Sequence, residues 1–143
     1  MTATTTTATT PDYDEIVRVV QLYIDGFNDG DIAKFKEAFH EDAWIFFTDA
    51  EGALYNNLLT NCFEDWAAEG RVNKANKTPV IVGRVISVTQ AGDVASVLLG
   101  YDNTADPSDS WVDFHSLLRI DGVWKITNKT ATHHSRAAWA GAE

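Results

Sequence analysis

The chain has little of what would hold it together from outside its own core. A single cysteine, Cys62, leaves no intramolecular disulfide framework. Basic residues are scarce, 11 Lys and Arg against 21 Asp and Glu, which gives a formal charge of −10 at pH 7. That sign argues against nucleic acid and against membranes as partners, because both need a basic surface. No apolar run approaches the length of a membrane span. The N-terminus lacks the basic and apolar regions of a secretory signal. The expectation is a soluble, cytoplasmic protein. Neither a phosphate-binding glycine loop nor a zinc-ligand spacing occurs, so no metal and no cofactor are expected. What is present is 143 residues, 45% of them apolar, with five Trp, four Tyr and seven Phe. That is one domain's length, and enough to bury a core without a staple.

Residues 2–10 are only Thr and Ala and offer no large apolar side chain to bury. Residues 1–11 therefore read as a disordered tail, 12–134 as a single domain and 135–143 as a C-terminal tail. Ile16, Val19, Val20, Tyr23, Ile24 and Phe27 share one face of a first helix. Asp12 is placed to cap it, and Glu15 completes a capping-box spacing. Gly30 is suited to the left-handed position at its end. Asp31 caps a short second helix that turns Ile32, Phe35 and Phe39 inward. Ala43–Thr48 reads as a strand, and a third helix runs from Leu54 through Trp66 to Gly70.

The second half is rich in strands. Pro79–Thr89 alternates, with Gly83 as a bulge or bend. Val94–Tyr101 runs back, and Ser110–Ile120 and Val123–Thr132 follow around Asp121-Gly122, a two-residue hairpin signal. The order ααβαββββ places helices first and a mostly antiparallel sheet after them, the α+β layout.

The hairpin predicts a register. Pairs counted outward from Ile120–Val123 set Leu117 against Ile126, His115 against Asn128, Asp113 against Thr130 and Trp111 against Thr132. With a side-chain period of two, all of these share one face. That face is apolar near the turn and polar further out, as expected of a core opening into a pocket. The opposite face carries Val112, Phe114, Leu118 and Ile120 beside Lys125 and Lys129. It is too apolar for simple exposure and reads as a surface for a second subunit.

Three segments carry a resemblance: Tyr23–Asp31 (YIDGFNDGD), Phe39–Ala43 (FHEDA) and Leu117–Lys129 (LLRIDGVWKITNK). Together they resemble the nuclear transport factor 2-like superfamily, and within it the lumazine-binding and SnoaL-like group, over roughly residues 13–132. The resemblance implies a cone, with a strongly curved sheet wrapped around three helices and a pocket at the wide end. It also implies a homodimer through the outer sheet face. Members include isomerases, dehydratases, cyclases, epoxide hydrolases and binders without catalysis.

The resemblance sets Tyr23 where the ketosteroid isomerase branch keeps an oxyanion-binding tyrosine, a role that needs a preorganised donor in a dry site. A core tyrosine with a satisfied hydroxyl is the plain alternative. That branch has its catalytic carboxylate where this chain has Phe47, a departure that counts against ketosteroid isomerisation. Asp49, two residues on, is a displaced base or simply a turn residue. Asp113 and His115, at i and i+2 on a strand, form the leading acid–base pair. A satisfied polar layer closed by Asn128 and Thr130 is the alternative. Tyr101, Trp44 and Trp111 are expected as pocket walls for an aromatic ligand. His133-His134, adjacent on a strand, point oppositely and have no third metal ligand at a suitable spacing. Cys62 reads as a small core residue.

Three functions follow from this reading. The first is a cofactor-independent isomerase, dehydratase or cyclase acting on a small apolar carbonyl-bearing or polycyclic molecule through Asp113, His115 and Tyr23. The second is a binder of a flat heterocycle such as a pteridine. The third is a dimerisation module with a vestigial pocket.

Overall fold

The computed structural model describes residues 10–72 and 80–136. The chain order is α1 (Tyr13–Asp29), α2 (Ile32–Ala38), β1 (Phe39–Thr48), β2 (Leu54–Leu58), α3 (Leu59–Ala68), β3 (Ile81–Ala91), β4 (Val94–Asn103), β5 (Trp111–Ile120) and β6 (Val123–His133). The six strands form one sheet in the order β2-β1-β6-β5-β4-β3. Only the β1–β6 pair is parallel. Three helices pack against this curved, unclosed sheet, an α+β fold as expected from the residue pattern. No helix among the described residues is long and apolar enough to cross a membrane.

The α1 stripe is buried as its spacing requires, from Ile16 at 0% exposed to Phe27 at 1%. Gly30 ends the helix with φ 64°, a conformation open to glycine at little cost. Asn28, two residues earlier, clamps the helix end to the sheet. Its amide donates to the Ile81 carbonyl at 2.8 Å and accepts from the Val80 and Ile81 amides. Asp31 caps α2 by accepting from the Ala33 amide.

Four local expectations are corrected. Asp12 does not cap α1 through its side chain. Its carboxylate accepts from Gln90 and from Arg119, each at 2.7 Å, while Glu15 pairs with Arg18. A long-range ion pair has displaced the local box. Leu54–Leu58 is a strand rather than the first turns of α3. It pairs antiparallel with Trp44–Thr48, and those cross-strand bonds outweigh a helical pattern whose first apolar residue, Leu54, is 65% exposed. In β3 the register breaks between Val85 and Ser87, not at Gly83. Gly83 instead lets α1 approach closely, since a Cβ there would sit 2.7 Å from Ile24 Cγ1. Pro79 lies outside the described residues, as do 1–9 and 137–143.

The fourth correction moves the most side chains. The Asp121-Gly122 turn forms as read, with φ 51° and 79°, and Ile120 pairs with Val123. Leu117 also pairs with Ile126 as counted. The next pair is Ser116 with Asn128, because Thr127 is an extra residue in β6. Such a bulge moves every residue beyond it to the other face. His115 therefore faces Lys129, Asp113 faces Ala131 and Trp111 faces His133. Asn128 and Thr130 pair with Ser116 and Phe114 on the outer side.

Candidate functional site

The concave face of the sheet and the helices enclose a cavity of ≈ 280 Å³. That is near the lower end of small-molecule sites, which hold roughly 300–1,000 Å³. Its walls are aromatic: Phe27 from α1, Phe47 from β1, Tyr55 from β2, Trp66 from α3 and Trp111 from β5. Phe47 stacks on Tyr55 at 4.6 Å and meets Trp111 edge-on at 5.4 Å. The polar residues on its lining are Tyr23, Tyr101, Arg71, Lys129, Asp65 and Glu69.

Lys129 is the decisive group. The bulge turns it inward, and its side chain is 5% exposed. Nζ lies 5.7 Å from the Tyr23 ring centre and 5.9 Å from that of Trp111. It faces Asp113 Oδ1 at 3.6 Å. Asp113 Oδ2 in turn lies 3.4 Å from His115 Nε2, with both side chains fully buried. Neither Asp113 oxygen nor either His115 nitrogen makes a hydrogen bond among the described residues. Charge-assisted hydrogen bonds normally close to about 2.7–2.9 Å. The cluster is thus held by Coulomb attraction at slightly longer range, in a place where dielectric screening is weak.

The electrostatics follow from burial and these neighbours. Burial penalises the Lys129 ammonium and pulls its pKa down, with Asp113 opposing and Arg71 reinforcing. Burial alone would raise Asp113, but Lys129 and His115 outweigh it and hold the carboxyl below its ordinary value. His115 is lowered by burial against the pull of Asp113. Burial, then the nearby Asp113 charge, raises the Tyr23 phenol well above its usual value, so it stays a hydrogen-bond donor. Tyr101 is likewise raised by burial, and Cys62, on the cavity wall, is held as a thiol for the same reason. Arg71 is fixed by Asp109 at 3.2 Å, and Asp109 also accepts from the Trp111 indole at 2.9 Å.

The structure brings together five of the residues singled out from sequence. Tyr23, Asp113 and His115 cluster, with the Tyr23 and His115 rings 5.3 Å apart, and Trp111 adjoins them through Lys129. Of these, Tyr23 and Trp111 line the cavity, together with Tyr101. Asp113 and His115 stand behind the lining and reach the cavity only through Lys129 and Tyr23. The others are elsewhere. Trp44 pairs with Asn128 on the outer side and is 39% exposed. Asp49 is committed to its turn, where it accepts from the Glu51 and Ala53 amides. Asn128 and Thr130 bond to each other on the outer face. His133 stacks on Trp111 at 3.8 Å. No group of three His, Cys, Asp or Glu among the described residues is arranged to hold a metal.

Sequence reasoning missed Lys129, Arg71 and Trp66. A signal for Lys129 was present in the sequence: Trp124 and Ile126 are apolar at even positions, whereas the next apolar residue, Ala131, is odd. That break in alternation marks the bulge. Nothing local marks Arg71, which belongs to the segment after α3.

The family described as "putative lumazine-binding" matches residues 11–131. A protein named Aldolase FrzH, from Cladobotryum sp, is 27% identical over 124 residues, covering 85% of this chain and 90% of its own. Among solved structures, an NTF2-like protein of unknown function from Methylobacillus flagellatus superposes with TM-score 0.73 at 24% identity, over 92% of this chain and 99% of its own. Another from Shewanella baltica gives TM-score 0.72 at 23% identity, over 92% and 98%. These structural likenesses speak for the fold alone.

Proposed function

We propose, from the premise that this chain belongs to the "putative lumazine-binding" family of the nuclear transport factor 2-like superfamily, that its cavity takes a small apolar carbonyl compound and moves a proton next to the carbonyl. One observation carries this reading: a buried Lys129–Asp113 pair whose lysine end lines an aromatic cavity beside the Tyr23 phenol. Removing a proton next to a carbonyl builds negative charge on its oxygen. A phenol donor and a cation in a dry site are the groups that stabilise such charge. The proton leaves to a carboxylate on the lining, Asp65 or Glu69, and Asp113 and His115 do not touch the substrate in this scheme. They set the charge and position of Lys129 from behind. The aldolase name of the FrzH relative supports carbonyl chemistry, since an aldol reaction begins with that same proton loss.

The test is hydrogen–deuterium exchange next to the carbonyl in D₂O, read by NMR, with cyclohexanone and phenylacetone as probes. General acid–base catalysis predicts exchange about 10²–10⁴-fold above buffer. The reading is wrong if neither ketone exchanges faster with protein than without.

A second reading has its own observation. Phe47, Tyr55, Trp66 and Trp111 border one cavity, an aromatic lining that suits a flat heterocycle of the kind the family's description names. Quenching of tryptophan fluorescence by lumazine, reduced in Trp111→Phe, supports it, and unchanged emission up to the solubility limit rejects it. In either reading the apolar outer residues Trp44, Phe114 and Leu118, each at least 39% exposed, form the face through which two copies pair.

A further inference from the structure

We propose that Lys129 is a covalent nucleophile: its Nζ attacks the carbonyl carbon of a ketone or aldehyde in the cavity and forms an iminium there. The inference rests on the carbonyl reading above and replaces a purely electrostatic role for the lysine by a bond. Among the described residues Lys129 is the one primary amine on the cavity lining. Its side chain is almost fully enclosed, with Nζ held between the Tyr23 and Trp111 rings and opposite Asp113. Elsewhere, Lys34 pairs with Asp29 and Lys125 donates to the Glu37 carbonyl, both on the outside of the fold.

An ammonium cannot attack, so the amine must first lose a proton, and Asp113 at 3.6 Å, whose carboxyl is held below its ordinary value, is placed to carry that proton transiently. Burial helps this transfer, because a neutral amine and a neutral acid need less solvation than two ions. Desolvation of a lysine in an apolar pocket is an established route to a nucleophilic amine. Arg71 also disfavours the ammonium, the direction already noted for its pKa. Cys62 shares the cavity but is kept as a thiol by burial, so the amine is the stronger nucleophile.

The step balances. The nitrogen lone pair forms a C–N bond, and the carbonyl π pair moves to oxygen, which takes a proton from the newly bonded nitrogen while Tyr23 donates a hydrogen bond to it. The resulting carbinolamine loses its hydroxyl as water, with the proton held on Asp113 relayed to that hydroxyl through the Tyr23 phenol, which adjoins both. The sum is ammonium plus carbonyl giving iminium plus water, with no oxidant or reductant. The iminium then acidifies the neighbouring C–H more strongly than the carbonyl did.

The experiment uses the full chain with cyclohexanone or phenylacetone, reduced with sodium borohydride and digested for mass spectrometry. The expected result is one reduced adduct per chain, on the peptide containing Lys129. Lys129→Arg keeps the cation but cannot form the iminium, and it should lose both the adduct and the exchange. Adducts spread over surface lysines with Lys129 unmodified would overturn the inference. So would exchange by the native chain without a trap at Lys129, an outcome that leaves the carbonyl reading standing. Absence of both exchange and trap overturns both. Trapping on the native chain needs no variant, so a Lys129→Arg protein that fails to fold does not remove the test.

Discussion

Asp113→Asn removes the charge facing the Lys129 ammonium while nearly keeping the shape. Asp113 is fully buried and the Lys129 side chain is 5% exposed, so water in the cavity replaces the lost partner only in part. Breaking a buried pair in this way costs about 3–5 kcal/mol. An independent ceiling comes from the lysine's own escape route. It can shed its proton, and moving from its ordinary pKa of 10.5 to neutral at pH 7 costs at most about 5 kcal/mol, at roughly 1.4 kcal/mol per unit. The two figures agree. Lys129→Met should cost less, because Asp113 still has His115 at 3.4 Å. The double variant Asp113→Asn with Lys129→Met leaves no unpaired charge. It should recover at least about 2 kcal/mol of the summed single losses, since buried ion pairs are often replaceable by neutral groups. Urea unfolding of all four proteins at one protein concentration measures this. Should Asp113→Asn prove too unstable to purify, the double variant must still fold if the reasoning holds. Additivity within about 0.5 kcal/mol, or a cost below about 1 kcal/mol for Asp113→Asn, would refute the coupling.

Three further outcomes are expected. His115 faces Asp113 and Lys129 from the sheet and the rings of Tyr23 and Phe39 from α1 and β1, and its folded pKa is lowered. Below its ordinary value of 6.5 the unfolded chain therefore binds a proton that the folded chain refuses, so this group makes stability fall with pH by up to about 1.4 kcal/mol per unit until its folded pKa is reached. His115→Gln should flatten that slope in urea melts between pH 6.5 and 5, and an unchanged slope would show that His115 is not its source. Tyr23→Phe should keep the fold, since the ring packing against Phe27 and Phe39 is retained, yet slow ketone exchange about 10²-fold through loss of one donor. Equal exchange rates would remove Tyr23 from the chemistry. Phe114→Asp with Leu118→Asp charges the outer face at two exposed positions and should convert a dimer to monomer in sedimentation velocity. A dimer that survives this pairs through another surface.

Much of the fold was legible because its signals are local. The α1 stripe, the Gly30 stop, the Asp31 cap and the Asp121-Gly122 turn are each read from a few adjacent residues. The inward positions of Asp113, His115 and Leu117 follow from alternation along one strand. The site was less legible. Asp12 left its helix cap for Arg119, 107 residues away, a partner no local pattern reveals. Leu54–Leu58 looked helical by spacing, and only pairing with β1 makes it a strand.

The amino-acid pattern by itself therefore determined the element types apart from β2, the α+β order and one polar face on β5, since these depend on neighbours within a turn or a pleat. The tertiary structure decided which polar groups meet. One extra residue, Thr127, exchanges Asn128 and Thr130 for Lys129 on the inner face. With that exchange a neutral hydrogen-bonded layer becomes a buried lysine–carboxylate–histidine cluster behind an aromatic cavity. The physical reason is that alternation is conserved along a strand only until a bulge. The position of a bulge is set by pairing between strands, not by either strand alone.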